Sequence, residues 1–228
     1  MQDHHGGTVC RIPPEIHARI VYADGTDPKE NLMREDALRC ACAETGDAIL
    51  YLWQNVDTVV LGRNQDAAAE CDLDYAAANG IQIVRRRSGG GAVYHDLGCL
   101  NVSLILPRAR FDPQVAARLV PDALRRLGVE TEPGGRNDLC LRGKKISGSA
   151  YYESGGAGVF HATILLHADV ERMQRVLTPC AEKLARHGVR SVRARVGSIA
   201  SDYPHIRVQD IMHALGNSFC KQYGGQSE

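Results

Sequence analysis

The stretch RRRSGGGAVYHD, residues 85–96, decides the fold assignment. Three arginines are followed by a serine and three glycines, and the pattern on either side predicts two strands, 81–86 and 92–95. Glycines let a backbone approach a ligand closely and point successive N–H groups at an anion, while arginine adds forked donors for carboxylate or phosphate. A glycine triplet alone is typical of a solvated hairpin. The flanking residues favour a binding loop instead.

A second informative stretch, GRNDLCLRGKKISGSA, covers residues 135–150. It places a pair of lysines on a predicted strand, followed by small residues that leave space for a substrate. Successive side chains of a strand point to opposite faces, so Lys144 and Lys145 cannot both enter one pocket. One lysine is therefore expected in solvent and the other in a site, where it could neutralise a carboxylate or a developing oxyanion.

A third stretch, residues 183–195, contains five lysines and arginines and no acidic residue. Such a run is either a solvated face or a loop that closes over a polyanion such as ATP. The phosphate-binding motif G-x-x-x-x-G-K-[ST] does not occur anywhere in the sequence. Any nucleotide site must therefore be built differently.

The composition limits the classes of function. The 228 residues are 44% hydrophobic and 24% charged, which is typical of a globular protein. The 27 lysines and arginines balance 27 acidic residues, so no net field attracts nucleic acid or a membrane surface. The sequence has neither an apolar run of about 18 residues nor a signal-peptide pattern, so we expect a cytoplasmic protein without membrane or nucleic-acid partners. The eight scattered cysteines fit neither a disulfide framework nor a zinc site.

Periodicity predicts an α+β protein with mixed or antiparallel sheets flanked by helices. Residues 1–20 are expected to be a flexible segment and residues 21–228 a single domain. One helix is predicted to follow Asp27-Pro28, with an apolar face of Met33, Ala37, Cys40 and Ala41. The other predicted helices cover residues 73–78, 112–127, 170–177, 181–187 and 208–223. Two further strands are predicted at 48–53 and 58–61, and a turn at 55–57 joins them. The remaining predicted strands cover residues 101–106, 129–131, 139–141, 145–147 and 159–167.

Four segments in this order resemble the motifs of lipoate–protein ligases, in the biotin/lipoate protein ligase superfamily. The segments are residues 85–98, 135–139, 145–150 and 191–196, and the similarity runs from about residue 20 to about residue 223. The resemblance implies a catalytic domain related in fold to class II aminoacyl-tRNA synthetases. It covers no C-terminal accessory domain of the kind that larger ligases of this family carry.

The resemblance also implies a two-step reaction with ATP and Mg²⁺. Lipoate attacks the α-phosphate of ATP to give lipoyl-AMP, and a lysine of an acceptor protein then takes the lipoyl group. By position, Lys145 is the catalytic residue, an electrostatic clamp on the carboxylate and α-phosphate, and Asp138 is a candidate Mg²⁺ ligand. The implied lipoate- and ATP-binding residues are Arg86, Ser88, Gly89, Gly90, Gly91, Ala92, His95, Asn137, Asp138, Ser147, Gly148, Ser149, Ala150, His161, Ser191, Val192, Arg193 and Arg195.

The acceptors implied by the resemblance are lipoyl domains of 2-oxo acid dehydrogenase acyltransferase subunits and the glycine cleavage H protein. A separate polypeptide could supply the accessory domain. Two departures from the family pattern predict local changes of pocket shape: Cys99 replaces a common Asn, and Phe160-His161-Ala162 replaces a common His-His-Gly. Lipoate and octanoate both suit one apolar tunnel, so the sequence leaves the preferred acid open.

Two other hypotheses stay open on the sequence. One is an octanoyl or lipoyl acyltransferase that uses Cys180 as nucleophile, with its pKa lowered by Lys145. Cys180 follows a proline as in such enzymes, but the expected glycine after it is missing, and residues 191–196 favour adenylate formation. The other is a non-catalytic lipoyl- or nucleotide-binding homologue, which the presence of Lys145, Asn137 and Asp138 disfavours.

Overall fold

The computed structural model describes residues 17–135, 137–177 and 196–224. The strands are β1 Ala18–Tyr22, β2 Ala48–Trp53, β3 Thr58–Leu61, β4 Gln82–Arg85, β5 Val93–His95, β6 Cys99–Pro107, β7 Glu132–Gly134, β8 Asp138–Leu141, β9 Lys144–Ser154 and β10 Ala157–Leu165. The α-helices are α1 Pro28–Thr45, α2 Ala67–Glu70, α3 Leu73–Ala78, α4 Pro113–Ala116, α5 Leu119–Arg126, α6 Val170–Val176 and α7 Val208–Tyr223. The helix predicted at 181–187 lies outside the described residues.

The strands form two sheets. The larger has the order β1-β2-β6-β10-β9-β8-β7, and all its pairs are antiparallel except β1 with β2. The smaller has the order β4-β3-β5, with β3 parallel to β4 and antiparallel to β5. The predicted α+β class with mixed sheets is confirmed.

Two apolar cores hold the elements together. The main core lies between the large sheet and the helices α5 and α7, where Leu104, Leu124 and Phe219 are fully buried. A smaller core joins the small sheet to α3 and α6 through Val59 and Tyr94. This arrangement leaves the other face of the large sheet available to the small sheet, to α1 and to a ligand.

The turn at 55–57 connects strands of two different sheets, so β2 and β3 do not pair as a hairpin. Strand β2 pairs with β1 and β6, whereas β3 pairs with β4 and β5. Both strands are buried along their whole length, so neither has the alternating polar face that a solvated hairpin shows. The connection therefore carries the chain from the large sheet to the small one.

Helix α1 exists as predicted, but the predicted buried face is wrong. Met33 is 72% exposed, and Ala37 and Cys40 are also exposed. The buried face consists of Asn31, Glu35, Arg39 and Cys42. Three of these side chains are polar and all three are hydrogen-bonded inside the protein. A buried polar group is tolerated when it is paired, and here the pairing inverts the usual amphipathic pattern.

Other boundaries also differ from the sequence prediction, most of all that of β9, which was predicted at 145–147 and runs over Lys144–Ser154. The helix predicted over 112–127 is interrupted at Ala117 and Arg118, because Pro121 has no N–H to donate to the carbonyl of Ala117. The strand predicted at 129–131 lies at 132–134, where it pairs with β8. Strand β1 begins at Ala18, inside the segment expected to be flexible, because it pairs with β2.

None of the described helices combines the length and apolarity needed to cross a membrane.

Candidate active site

A pocket of about 190 Å³ lies between the glycine loop of the small sheet and one face of the large sheet. It brings together twelve of the sequence-predicted site residues: Arg86, Gly90, Gly91, Ala92, His95, Asn137, Asp138, Lys145, Gly148, Ser149, Ala150 and His161. Ser88 supports the pocket through a hydrogen bond with His161. Gly89 and Ser147 adjoin it in sequence without lining it. Arg136, Cys180, Ser191, Val192, Arg193 and Arg195 lie outside the described residues.

Lys145 extends from β9 into this pocket. Its Nζ lies 2.8 Å from Oδ1 of Asp138 on β8, and both side chains are about one-third exposed. Gly148 provides the space for the lysine, since a Cβ there would lie 2.9 Å from the ammonium nitrogen. Lys144 is exposed and packs against Gly197 instead. Only one of the two lysines therefore lines the pocket, as the alternation of side chains along a strand predicts.

The chain returns to β9 directly beside Lys145. Val196 forms a parallel bridge with Lys145, and the N–H of Gly197 donates to the carbonyl of Lys145 at 2.9 Å. Val196 is the last residue of the basic motif at 191–196 and the only one within the described residues. The end of this motif that the structure describes therefore lies beside Lys145 of β9.

Arg86 binds the glycine loop rather than pointing all its donors at a ligand. Its Nε donates to Ser88 Oγ at 2.9 Å, and its two terminal nitrogens donate to the carbonyls of Val60, Gly89 and Gly91 at 2.7–3.0 Å. Burial lowers the pKa of Arg86 to about 10, which still leaves it charged at neutral pH. The guanidinium therefore fixes the loop that forms one wall of the pocket.

The two neighbouring arginines also have protein partners. Arg85 donates to the carbonyls of Gly62 and Gln65, and Arg87 pairs with Asp36 at 2.7 Å. Of the three arginines, only Arg86 lines the pocket. The sequence could not show this because their partners come from distant segments.

Below the glycine loop, Glu35 of α1 holds His161 in place. Its Oε1 accepts from Ser103 Oγ at 2.5 Å and lies 3.0 Å from His161 Nδ1, while His161 Nε2 lies 2.7 Å from Ser88 Oγ. Burial by itself would raise the pKa of Glu35, but the charge and hydrogen bond of His161 and the hydroxyl of Ser103 outweigh it, so the pKa is lowered. The buried carboxylate thus connects α1 to the loop.

His95 is buried on β5 as a neutral imidazole. Its Nδ1 lies 3.2 Å from Asn55 Nδ2 and its Nε2 lies 2.9 Å from Thr163 Oγ1. Burial, and next the positive charge of Arg86, lower the pKa of His95 to about 3. His95 therefore positions its neighbours through hydrogen bonds and carries no charge at neutral pH.

The comparisons with known proteins agree on one family. The family described as "Lipoyl protein ligase A/B catalytic domain" matches residues 27–220. The chain belongs to this family.

Solved structures of lipoate–protein ligases have the same fold. A bi-partite lipoate protein ligase from Thermoplasma acidophilum, studied with its E2 lipoyl domain, is 31% identical, with a TM-score of 0.78 over 91% of this chain and 83% of that chain. A T. acidophilum protein assigned as a lipoate protein ligase, with bound lipoic acid, is 29% identical, with a TM-score of 0.76 over 91% and 85%. A lipoate-protein ligase A bound with ATP is 29% identical, with a TM-score of 0.78 over 90% and 85%.

Membership of the lipoyl protein ligase family confirms the resemblance on which the fold was predicted. The fold match with the bi-partite ligase covers 91% of the chain. The chain is thus a lipoate–protein ligase-like catalytic domain. The individual roles of the site residues remain predictions.

Sequence reasoning missed six residues of the pocket in this lipoyl protein ligase domain: Leu32, Trp53, Val60, Val93, Asn101 and Thr163. It also missed Glu35 and Asn55, which hold the pocket from behind. The spacing of Asn31, Glu35 and Arg39 at four-residue intervals was a usable signal, since it places three polar side chains on one side of a helix. Asn101 and Thr163 gave no such signal because strand pairing alone makes them neighbours.

Gly62→Ala is expected to damage the pocket wall of this ligase domain. A Cβ on Gly62 would overlap the carbonyl oxygen of Gly90, whose φ of 92° already requires glycine. We expect the loop to shift, with a loss of about 1–3 kcal/mol of unfolding free energy. Denaturant unfolding measures the loss. Gly25→Ala is the matched control because a Cβ there meets nothing within 4 Å; equal behaviour of the two variants would contradict the prediction.

The neutral His95 predicts an acid-sensitive fold. The pKa of His95 is about 3 in the folded protein and about 6.5 in an unfolded chain, so the unfolded state binds one more proton between these values. The contribution of His95 to the unfolding free energy is complete above about pH 6.5. It decreases by about 1.4 kcal/mol per pH unit as the pH falls towards 3. Denaturant unfolding at pH 7 and pH 5 measures it. The His95→Gln variant should lose about 2 kcal/mol less than the wild type over this interval; an identical loss would show that His95 does not titrate as expected.

Proposed function

We propose that this chain activates lipoate with ATP to form lipoyl-AMP and transfers the lipoyl group to a lysine of a lipoyl-carrier domain. The observation that carries the proposal is the position of Lys145, which reaches with Asp138 into a pocket walled by the glycine loop. Relatives of this chain have structures with lipoic acid and with ATP.

Lys145 is proposed to act as an electrostatic clamp. In the structure its ammonium faces one carboxylate oxygen of Asp138 at 2.8 Å, the distance of a charge-assisted hydrogen bond. A substrate carboxylate can bind the remaining donors of the ammonium. As the carboxylate oxygen attacks phosphorus, the same donors would stabilise the charge on the α-phosphate oxygens, and stabilisation of the transition state accelerates the step.

Asn137 and Asp138 are the residues that fit the predicted Mg²⁺. Mg²⁺ prefers oxygen ligands and is usually held by one or two carboxylates together with substrate phosphates. Asp138 is the only carboxylate among the described residues of the pocket, and its second oxygen is not engaged by Lys145. When bound, the ion would neutralise phosphate charge and orient the triphosphate.

The segment at 191–196 is proposed to cover the nucleotide. Its last residue, Val196, is held next to Lys145 by backbone pairing. The segment carries Arg193 and Arg195, which suit a polyanion. A loop that orders over the adenylate would keep water away from the mixed anhydride until the acceptor lysine arrives.

The acyl chain is proposed to occupy the inner part of the pocket. Trp53, Leu32 and Val60 supply apolar surface there, and Trp53 is 3% exposed. Its indole N–H donates to Ser103 Oγ at 3.0 Å, which fixes the ring. A rigid apolar wall of this kind suits the hydrocarbon portion of lipoate or octanoate.

The acceptor and any accessory subunit are also part of the proposal. The T. acidophilum relative is described as bi-partite and was studied with an E2 lipoyl domain. We propose that this chain likewise modifies lipoyl domains of 2-oxo acid dehydrogenases or the glycine cleavage H protein. A separate accessory polypeptide is proposed to assist the activation step.

Lipoate-dependent exchange of labelled pyrophosphate into ATP tests the first half-reaction. The purified chain is incubated with ATP, Mg²⁺ and lipoate, without an acceptor. Exchange that requires lipoate supports adenylate formation. Lack of exchange, combined with octanoyl transfer from an acyl carrier protein that Cys180→Ser abolishes, would replace the proposal with the acyltransferase hypothesis. If the chain shows neither activity, even with a candidate accessory subunit added, it is a binding protein.

A further inference from the structure

A series of hydrogen bonds links side chains behind the pocket. The order of donors and acceptors in this series is fixed at one end, by Asn31. Asn31 Nδ2 donates to the backbone carbonyl of Gln54 at 2.9 Å and faces the carbonyl of Gly25 at 3.3 Å. A carbonyl oxygen can only accept, so the nitrogen of this amide must face them. The Asn31 oxygen accordingly accepts from the Tyr51 hydroxyl at 2.9 Å.

This orientation is transmitted to His95. Asn31 Nδ2 also lies 3.0 Å from Asn55 Oδ1, so the oxygen of the second amide faces the first and its nitrogen faces His95. Asn55 Nδ2 therefore donates to His95 Nδ1 at 3.2 Å. A neutral imidazole whose Nδ1 accepts carries its proton on Nε2. That N–H donates to Thr163 Oγ1 at 2.9 Å.

The series ends at Asn101, a residue that lines the pocket and whose buried amide nitrogen is an unpaired donor among the described residues. Because Thr163 Oγ1 accepts from His95, its own hydrogen is available, and it donates to Asn101 Oδ1 at 2.8 Å. The amide of Asn101 is thus oriented with its nitrogen away from Thr163. Asn101 is 2% exposed and lines the pocket, and its Nδ2 has no hydrogen-bond partner among the described residues. Leaving a buried donor unpaired is costly, so the site is built for an acceptor.

We propose that Asn101 Nδ2 donates a hydrogen bond to a dithiolane sulfur of lipoate and thereby makes the pocket select lipoate over octanoate. This inference rests on the proposed function. A dithiolane sulfur is a weak acceptor, whereas the corresponding carbons of octanoate accept nothing. Bound octanoate would therefore leave the Asn101 donor buried and unpaired, and bound lipoate would not.

The position of Asn101 relative to Lys145 fits a sulfur far from the carboxylate. In the large sheet Asn101 pairs with Thr163, and Thr163 pairs with Gly148, beside which the Lys145 ammonium lies. Asn101 is therefore two strands away from the lysine, a separation of roughly 10 Å at about 4.8 Å per strand. A medium-chain acid with its carboxylate at Lys145 can reach Asn101 with its distal carbons. In lipoate those carbons carry the sulfurs.

Calorimetric titration of the wild type and of Asn101→Leu with lipoate and octanoate tests the proposal. The wild type should bind lipoate more tightly than octanoate. In Asn101→Leu, octanoate should bind more tightly than it does to the wild type and lipoate more weakly, so that the ratio of the two dissociation constants changes by about tenfold, equivalent to about 1.4 kcal/mol. Thr163→Val removes the hydroxyl that orients the Asn101 amide and should weaken the preference for lipoate in the same direction. Lys144→Ala, on the same sheet but outside the pocket, is the control and should retain the preference.

A second measurement needs no variant. Octanoic acids in which a sulfur replaces one distal methylene present the acceptor without a ring. A thioether is less apolar than a methylene, so an apolar pocket without a donor should prefer octanoate. We expect at least one of the 6-thia and 7-thia acids to bind the wild type more tightly than octanoate.

The outcomes separate this inference from the proposed function. Equal binding of octanoate and both thia acids, or an unchanged lipoate-to-octanoate ratio in a folded Asn101→Leu protein, would overturn the role of Asn101 and leave ligase activity intact. Failure of the wild type to bind either lipoate or octanoate would overturn the proposed function as well.

Discussion

Lys145→Ala is expected to reduce lipoate-dependent pyrophosphate exchange by about 10²–10³-fold while the protein remains folded. The variant removes the ammonium that faces the reacting carboxylate. Arg86, the other cation lining the described part of the pocket, already donates to Ser88, to two carbonyls of the glycine loop and to one of β3, so it cannot replace the lost charge. Exchange rates at saturating ATP and lipoate measure the effect.

Lys144→Ala is the matched control for this prediction. The two lysines are adjacent on β9, but Lys144 is exposed and packs against Gly197 outside the pocket. Both variants lose one positive charge from the same strand, so any effect of net charge is shared. An unchanged rate in Lys145→Ala, or an equal loss in both variants, would rule out the proposed clamp.

Glu35→Ala is expected to have the largest effect on stability, a loss of about 3 kcal/mol of unfolding free energy. The carboxylate is 2% exposed and accepts from Ser103 while facing His161 Nδ1. Its removal leaves both partners buried without their acceptor and releases the link from His161 to Ser88 in the glycine loop. Denaturant unfolding at pH 7 measures the loss.

Two further variants test the cause of this loss. Glu44→Ala changes an exposed glutamate of the same helix and should cost no more than about 0.5 kcal/mol. Glu35→Gln keeps an acceptor oxygen and should recover part of the stability. The pKa of Glu35 is lower in the folded protein than in the unfolded chain. Its ionised carboxylate therefore contributes to the unfolding free energy above the pKa of the unfolded chain, and this contribution is lost as the pH falls through the pKa of the folded protein. A Glu35→Ala protein as stable as Glu44→Ala would contradict the buried network.

Local patterns were enough to predict several elements to within a few residues. The helices at 73–78 and 208–223 have the predicted bounds. The strands on either side of the glycine loop also form, since β-branched residues and adjacent glycines act through local backbone preferences. The break in the helix before Pro121 was equally local and could have been predicted.

The buried face of α1 shows where such patterns fail. Apolar spacing selected Met33, which is largely exposed, because the rule assumes that polar side chains prefer water. Glu35 and Asn31 are buried because they find partners on β6 and after β2, at distances of tens of residues along the chain. No local pattern contains that information.

The sequence by itself predicted the class of fold and the glycine loop, and its resemblance to lipoate–protein ligases predicted the family and singled out Lys145. The fold class and the loop depend on residue types at short spacing, which backbone geometry and the alternation of strand faces convert directly into structure. Only the tertiary structure decided the use of the arginines, the burial of Glu35 and the unpaired amide of Asn101. Each of these depends on which distant groups pairing and packing bring within hydrogen-bond distance, and on the high cost of leaving a buried polar group unpaired.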